Sequence, residues 1–382
     1  MAWITERMPR ISAGQFATMI TAGYLGLGIF YFPRPLVVDA GRYGLYGLWL
    51  DGFAALILMR FVFAMGHLIP NETLSGFSPA LLSKPVSWLL GFYTIAYHIS
   101  LAISAVILFS FVLGNIFLPS TPIWAISAAL TLTSAYMAYG GVQALARTLQ
   151  ASYIPLLVLT ILSVSMAALS IRHPALLIPT TDVALVPLVE GAYHQFVIFI
   201  GFQLSVTLYP FVKNTERQQA ERYSLLALVG IVLALSMEYE VIMAVFGPNA
   251  ITELRWPLAS TYRIISLSGF YISKLGTLLI VLWTIVIVAF VSVRLWCLAH
   301  DLSAMAPRFK YEAALGLMTL LTIGGCLLFP NAKVADLLNE HYLLPLGLAY
   351  LVLVPSTVML VARARPTLIA QLRTRYEPGP DI

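Results

Sequence analysis

The stretch Gly23-Tyr24-Leu25-Gly26-Leu27-Gly28-Ile29-Phe30-Tyr31-Phe32-Pro33 lies in an apolar run that begins at Ile11, and its reading decides the fold. A helix that crosses about 30 Å of hydrocarbon needs about 20 apolar residues, and the run is long enough. Yet Gly23, Gly26 and Gly28 fall close together and Pro33 follows. Each glycine costs a helix about 1 kcal/mol relative to alanine, so a continuous helix is disfavoured here. An unwound turn at mid-membrane frees backbone groups for a ligand or ion, the pattern of transporter-type sites. Close helix packing through small residues is the other reading of the same glycines.

Working outward, ten apolar windows of spanning length emerge, beginning near Ile11, Tyr43, Val86, Pro122, Ser152, Leu185, Tyr223, Leu275, Tyr311 and Tyr342. The expected fold is therefore an all-α polytopic membrane protein of about ten transmembrane helices, with both ends on one side. The composition agrees. Of 382 residues 60% are hydrophobic and 10% charged, against about 25% charged in an ordinary soluble domain. The charges gather in short clusters between the runs. With the N-terminus inside, fourteen Lys and Arg fall on the inner side and seven on the outer, with Arg60 inside span two. The positive-inside rule then places both termini in the cytoplasm. That count assigns Arg294 to an inner connection. The first run has no small-residue cleavage site and is read as a retained helix.

The expected organisation is one transmembrane domain over residues 1–362, with repeat one about 11–171 and repeat two about 185–362. A basic cytoplasmic tail over 363–382 is expected to be disordered. The long connection from Gly247 to Ser273 carries Leu258, Tyr262 and Ile265 at helical spacing, which predicts a short outer helix. No basic stripe with interleaved aromatics points to nucleic acid. The two cysteines, Cys297 and Cys326, lie in apolar runs, against a disulfide framework or a metal site. No serine elbow, paired-His motif or phosphate loop is present, so neither an enzyme nor a cofactor is expected.

Span six offers a counterpart to the broken first span, because Gly191, His194, Gln195, Gly201 and Gln203 interrupt its apolar run, which closes at Pro210. The separation of Gly28 from Gly201 resembles that between the starts of spans one and six, as a five-plus-five inverted repeat requires. Within span three, Tyr97 and His98 are polar; a lone histidine there suits either a hydrogen-bonded structural role or a ligand contact. Asp51 and Arg60 in span two are about 13 Å apart on opposite faces and cannot pair. Glu238 and Glu240 are expected near the outer interface. Thr284, beside Trp283 in span eight, can turn its hydroxyl toward spans one and six.

These motifs resemble the B subunits of GerA-type spore-germination receptors, a branch of the amino acid-polyamine-organocation superfamily. Gly26 to Phe30 with Pro33 resembles the superfamily's broken first helix, and Pro70-Asn71-Glu72-Thr73-Leu74 the segment after span two. Thr121-Pro122-Ile123-Trp124 and Tyr136 to Arg147 resemble the entry and exit of span four. Pro210-Phe211-Val212-Lys213 is similar to the end of span six, Trp256-Pro257 to Trp283 to the approach to span eight, and Leu328-Phe329-Pro330-Asn331 to the close of span nine. The resemblance implies the inverted-repeat fold, sensing of a small nutrient such as an amino acid in a dormant spore's inner membrane, and A and C subunit partners. Relatives often carry an acidic residue where this chain has Gly201-Phe202-Gln203, and another near Gly276; their absence weighs against a cationic ligand.

The expected ligand-binding set is Gly26, Gly28, Phe30, Tyr97, His98, Phe199, Gly201, Gln203 and Thr284. Backbone amides near Gly26 and Gly28 would hold a carboxylate, while Phe199 and Tyr97 close the apolar side. A secondary amino-acid transporter is the alternative. Neither adjacent span-eight hydroxyls for sodium nor a span-five lysine for protons is visible, which weighs toward a receptor.

Overall fold

The computed structural model describes residues 9–376 apart from 25, 28, 30, 179–181 and 265–274. Seven helices among them are long and apolar enough to cross a membrane, and the apolar helices Ile123–Tyr139 and Tyr311–Leu327 are shorter. With the short helix Ala13–Ala22 at the head of the first apolar run, they make up ten spans of a multi-pass membrane protein.

Span one starts where Ser12 caps it. The Ser12 hydroxyl accepts from the Gln15 N–H at 3.3 Å and the Gln15 side chain accepts from the Ser12 N–H at 2.9 Å, a reciprocal capping box. Its helix stops at Ala22, directly before Gly23, and a new short helix forms only at Arg34–Ala40. Span six breaks differently. It runs as α-helix over Leu185–Gln195, tightens to 3-10 geometry over Phe196–Leu204, and returns to α-helix at Ser205–Leu208. A 3-10 run of that length is rare because its hydrogen bonds are poorer, and mid-helix it commonly marks a functional site.

The remaining spans follow the expected order with three displaced starts. Span five begins at Gly141, not Ser152. Gln143, Arg147 and Gln150 kept its first turns out of an apolar window, while Gly141, at φ +79°, makes the turn that starts it. Span seven begins at Arg217, ahead of Tyr223. Span ten begins at Ala332, ten residues before Tyr342, capped by Asn331 and passing through a wide π turn at Asn339–Leu343. In the long connection short helices form at Pro248–Glu253 and Pro257–Ile264, and Leu258 of the second is buried as its spacing predicted; Ile265 lies outside the described residues.

The tail differs from expectation. After Arg365 the chain forms the helix Pro366–Arg375, which buries Ile369 and Leu372. Arg373 donates to the Leu68 carbonyl at 2.8 Å and Arg365 to the Leu81 carbonyl at 3.1 Å. Its two apolar residues and its paired arginines give it something to bury and something to hold, which composition alone did not register.

One face of the bundle therefore gathers the head of span one, the foot of span two, the foot of span six and the tail. Arg10 donates to the Pro210 carbonyl at 2.7 Å, and Arg217 to Asn71 at 2.6 Å. On the opposite face Tyr31 donates to Asp336, which also pairs with Arg255 at 2.6 Å, and His194 meets Asp39 at 2.8 Å. Spans one, six and ten and the loop that carries Arg255 are tied there.

Candidate functional site

The two broken spans cross at a pair of glycines. A Cβ at Gly201 would lie 2.2 Å from the Gly23 carbonyl carbon, and one at Gly23 would lie 2.8 Å from the Gly201 oxygen. Backbone meets backbone, so no side chain can yield. Gly201, expected as a ligand contact, serves here as the crossing point, which is the packing role small residues take between membrane helices.

Span eight covers the break. Phe290 and Arg294, four residues apart on Leu275–Met305, share one face of that helix. A Cβ on Gly26 would fall 2.0 Å from the Phe290 ring, so Gly26 is the gap into which that ring fits. The Arg294 guanidinium carbon stacks 3.4 Å from the centre of the same ring, and its Nη2 reaches the Gly23 carbonyl at 3.4 Å. Arg294 is 1% exposed. Its placement corrects the charge count, which put it in a connection: no apolar window extended across it, yet Leu275–Met305 is one helix with Arg294 buried within it.

A buried guanidinium is costly unless paired and hydrogen-bonded. Among the described residues its hydrogen bonds go to carbonyls, Phe290 at 3.3 Å and Gly23, and its Nε has no partner there. Near it, Tyr97 Oη and both ring nitrogens of His98 are buried with no hydrogen-bond partner among the described residues, and the same holds for both amide atoms of Gln203 in the 3-10 segment. Arg294 interacts electrostatically with Tyr97 and His98. Tyr97 stacks on Tyr350 of span ten at 5.8 Å, and His98 meets the same ring edge-on at 5.8 Å. Buried polar groups are nearly always satisfied, so a cluster of open donors and acceptors is where a polar ligand or water belongs.

Of the expected residues, the structure thus brings Gly26, Tyr97 and His98 about Phe290 and Arg294, while Gln203 and Phe199 are fully buried in the 3-10 segment. Gly28 and Phe30 lie outside the described residues. Thr284 is half-buried, and its hydroxyl donates to the Ile280 carbonyl one turn back in the same helix at 3.0 Å. Arg294 and Tyr350 were missed. An arginine amid Val291, Val293, Leu295 and Trp296 was the available signal.

The large cavity of the molecule is elsewhere. About 680 Å³ opens between spans one, five, seven and eight, and none of the described residues expected to bind ligand lines it.

Fold and site together define a broken-helix membrane protein of the five-plus-five inverted-repeat transporter architecture. The chain belongs to the spore germination protein family, whose model matches residues 10–330. It is 20% identical over 314 residues to spore germination protein YndE of Bacillus subtilis, covering 81% of this chain and 85% of that one. Spore germination protein A2 of the same organism is 21% identical over 284 residues, 72% of this chain and 75% of that one. Among solved structures, MhsT in complex with L-phenylalanine superposes with a TM-score of 0.64 at 14% identity, covering 97% of both chains. A manganese transporter of Eremococcus coleocola gives 0.59 at 13% identity, covering 97% of this chain and 82% of that one. These likenesses concern the fold.

Proposed function

We propose that this protein is the membrane subunit of a nutrient-germinant receptor and that its ligand is a small molecule bearing a carboxylate, such as an amino acid. The carrying observation is Arg294, buried against the break of span one and hydrogen-bonded, among the described residues, to two carbonyls and to no carboxylate. A carboxylate there would give the guanidinium a two-pronged partner and replace a long contact to Gly23. Tyr97, His98 and Gln203 would supply further hydrogen bonds, and Phe199 an apolar wall. The ligand is bound and released unchanged; no catalytic step is involved.

Family membership supports a role in germination, with the spore inner membrane as the site and A and C subunits as partners. Removing Arg294 from the inner count still leaves the excess of Lys and Arg on the side of the termini, which supports cytoplasmic ends. Signalling requires a ligand that binds one arrangement of the spans better than another. The contacts that tie the spans at the two faces are those that such a change would break.

The test is equilibrium binding of labelled amino acids to the protein in vesicles, run beside uptake. Binding without accumulation is expected. Arg294→Met should weaken binding at least about 30-fold, since losing one partner of a buried charged pair costs about 2–5 kcal/mol, whereas Arg294→Lys should keep part of it. Ligand-dependent accumulation would return the chain to the transporters, and unaltered binding by Arg294→Met would remove the carboxylate site.

A further inference from the structure

The cavity between spans one, five, seven and eight has the chemistry of a second, separate site. Its walls are mostly apolar, built from residues such as Ala17, Ile231, Leu235, Val286 and Ala289, with Thr18, Thr21, Gln150, Ser152 and Thr160 as neutral polar lining and no Lys or Arg among its described lining residues. At one end stands Glu238 of span seven, its single acidic described lining residue. It is 4% exposed, and its Oε2 has no hydrogen-bond partner among the described residues. Expected at the outer interface, it is instead enclosed.

The cavity opens sideways. Ile154 and Leu157 of span five and Tyr223 and Leu226 of span seven line it and are also exposed. Exposed apolar side chains on a membrane-spanning helix face lipid, so the mouth faces the hydrocarbon and not water. From Tyr223 to Glu238 span seven rises about 22 Å, which makes the cavity elongated along the bilayer normal.

We propose that this cavity binds a lipophilic amine that enters from the bilayer between spans five and seven and places its ammonium on Glu238. The apolar walls select a hydrocarbon body. The end group is selected by charge: a buried carboxyl ionises only beside a counter-ion, an ammonium supplies that charge together with donors, an alcohol supplies a hydrogen bond but no counter-ion, and a carboxylate would add a second acid. None of the residues argued to hold the nutrient lines this cavity, so the site stands or falls apart from the nutrient reading.

The test uses the full chain in phosphatidylcholine nanodiscs and labelled decylamine, with protein-free discs subtracted. Saturable binding of one amine per chain is expected, displaced by unlabelled decylamine and at least tenfold less well by decanol or decanoate. Glu238→Gln should weaken binding at least tenfold. Gly230 lines the cavity and a Cβ there meets nothing within 4 Å, so Gly230→Trp should fill the space and abolish binding with the unfolding midpoint kept. This second variant decides the matter if Glu238→Gln fails to fold. Binding no greater than to empty discs, equal displacement by decanol, or full binding by Gly230→Trp would each overturn the proposal.

Discussion

Gly201 and Gly230 are both glycines inside spans, and their surroundings give them opposite meanings. An added methyl at Gly201 meets the Gly23 backbone at 2.2 Å, while at Gly230 it meets open space. Gly201→Ala should therefore destabilise by about 1–3 kcal/mol, the usual cost of overpacking where no rotamer can give way. Gly230→Ala should stabilise by up to about 1 kcal/mol through helix propensity. Thermal unfolding in matched lipid checks the pair, and equal effects would remove the crossing argument. Both glycines are visible in the sequence, but their roles were not, because a glycine's meaning lies in what stands opposite it. Arg294 makes the same point: its burial depends on span one breaking where the guanidinium arrives.

At the scale of elements, short polar networks tie the segments together at each face of the bundle. Glu216, just before span seven, accepts from the Ala13 N–H at 2.8 Å and from Lys213 at 3.0 Å. The Ala13 amide first, then Lys213, hold its carboxyl below the usual carboxylate range. A lowered folded value means stability that is present above the unfolded value, about pH 4.3, and lost as pH falls through the folded one. Glu216→Gln should thus lower the unfolding midpoint near neutral pH, with the difference from wild type closing below about pH 4. A midpoint difference that persists in acid would exclude this account. On the other face, Asp336 holds both Tyr31 and Arg255, joining span one to span ten and the outer loop. Exposed ion pairs are worth only about 0–1 kcal/mol, but this carboxylate ties three segments. Asp336→Asn should speed ligand release several-fold in a dissociation experiment; an unchanged rate would show that this network does not gate the site.

At the scale of the whole molecule, the proposed nutrient site centres on Arg294 of span eight, against the break of span one and beside Tyr97 and His98 of span three, so both repeats contribute. A ligand at about 100 times its Kd should stabilise the fold by about 2.7 kcal/mol if it binds only the native state. It should raise the unfolding midpoint in a single step, with no such rise in Arg294→Met. A ligand shift retained by that variant would place the nutrient elsewhere.

The sequence by itself determined the membrane class, the ten-span order, the breaks in spans one and six and the family. Each of these depends on local composition, because apolar length and glycine or proline density act within one helix whatever its neighbours are. The starts of spans five and ten, the helical tail, the burial of Arg294 and Glu238, and the position of the cavity were decided by the tertiary structure alone. Polar residues such as Gln143, Arg147 and Gln150 end an apolar window without ending a helix, since neighbouring segments can satisfy them. Whether a charge lies in a loop or in the protein interior depends on which spans close around it, and that is a property of packing between residues hundreds of positions apart.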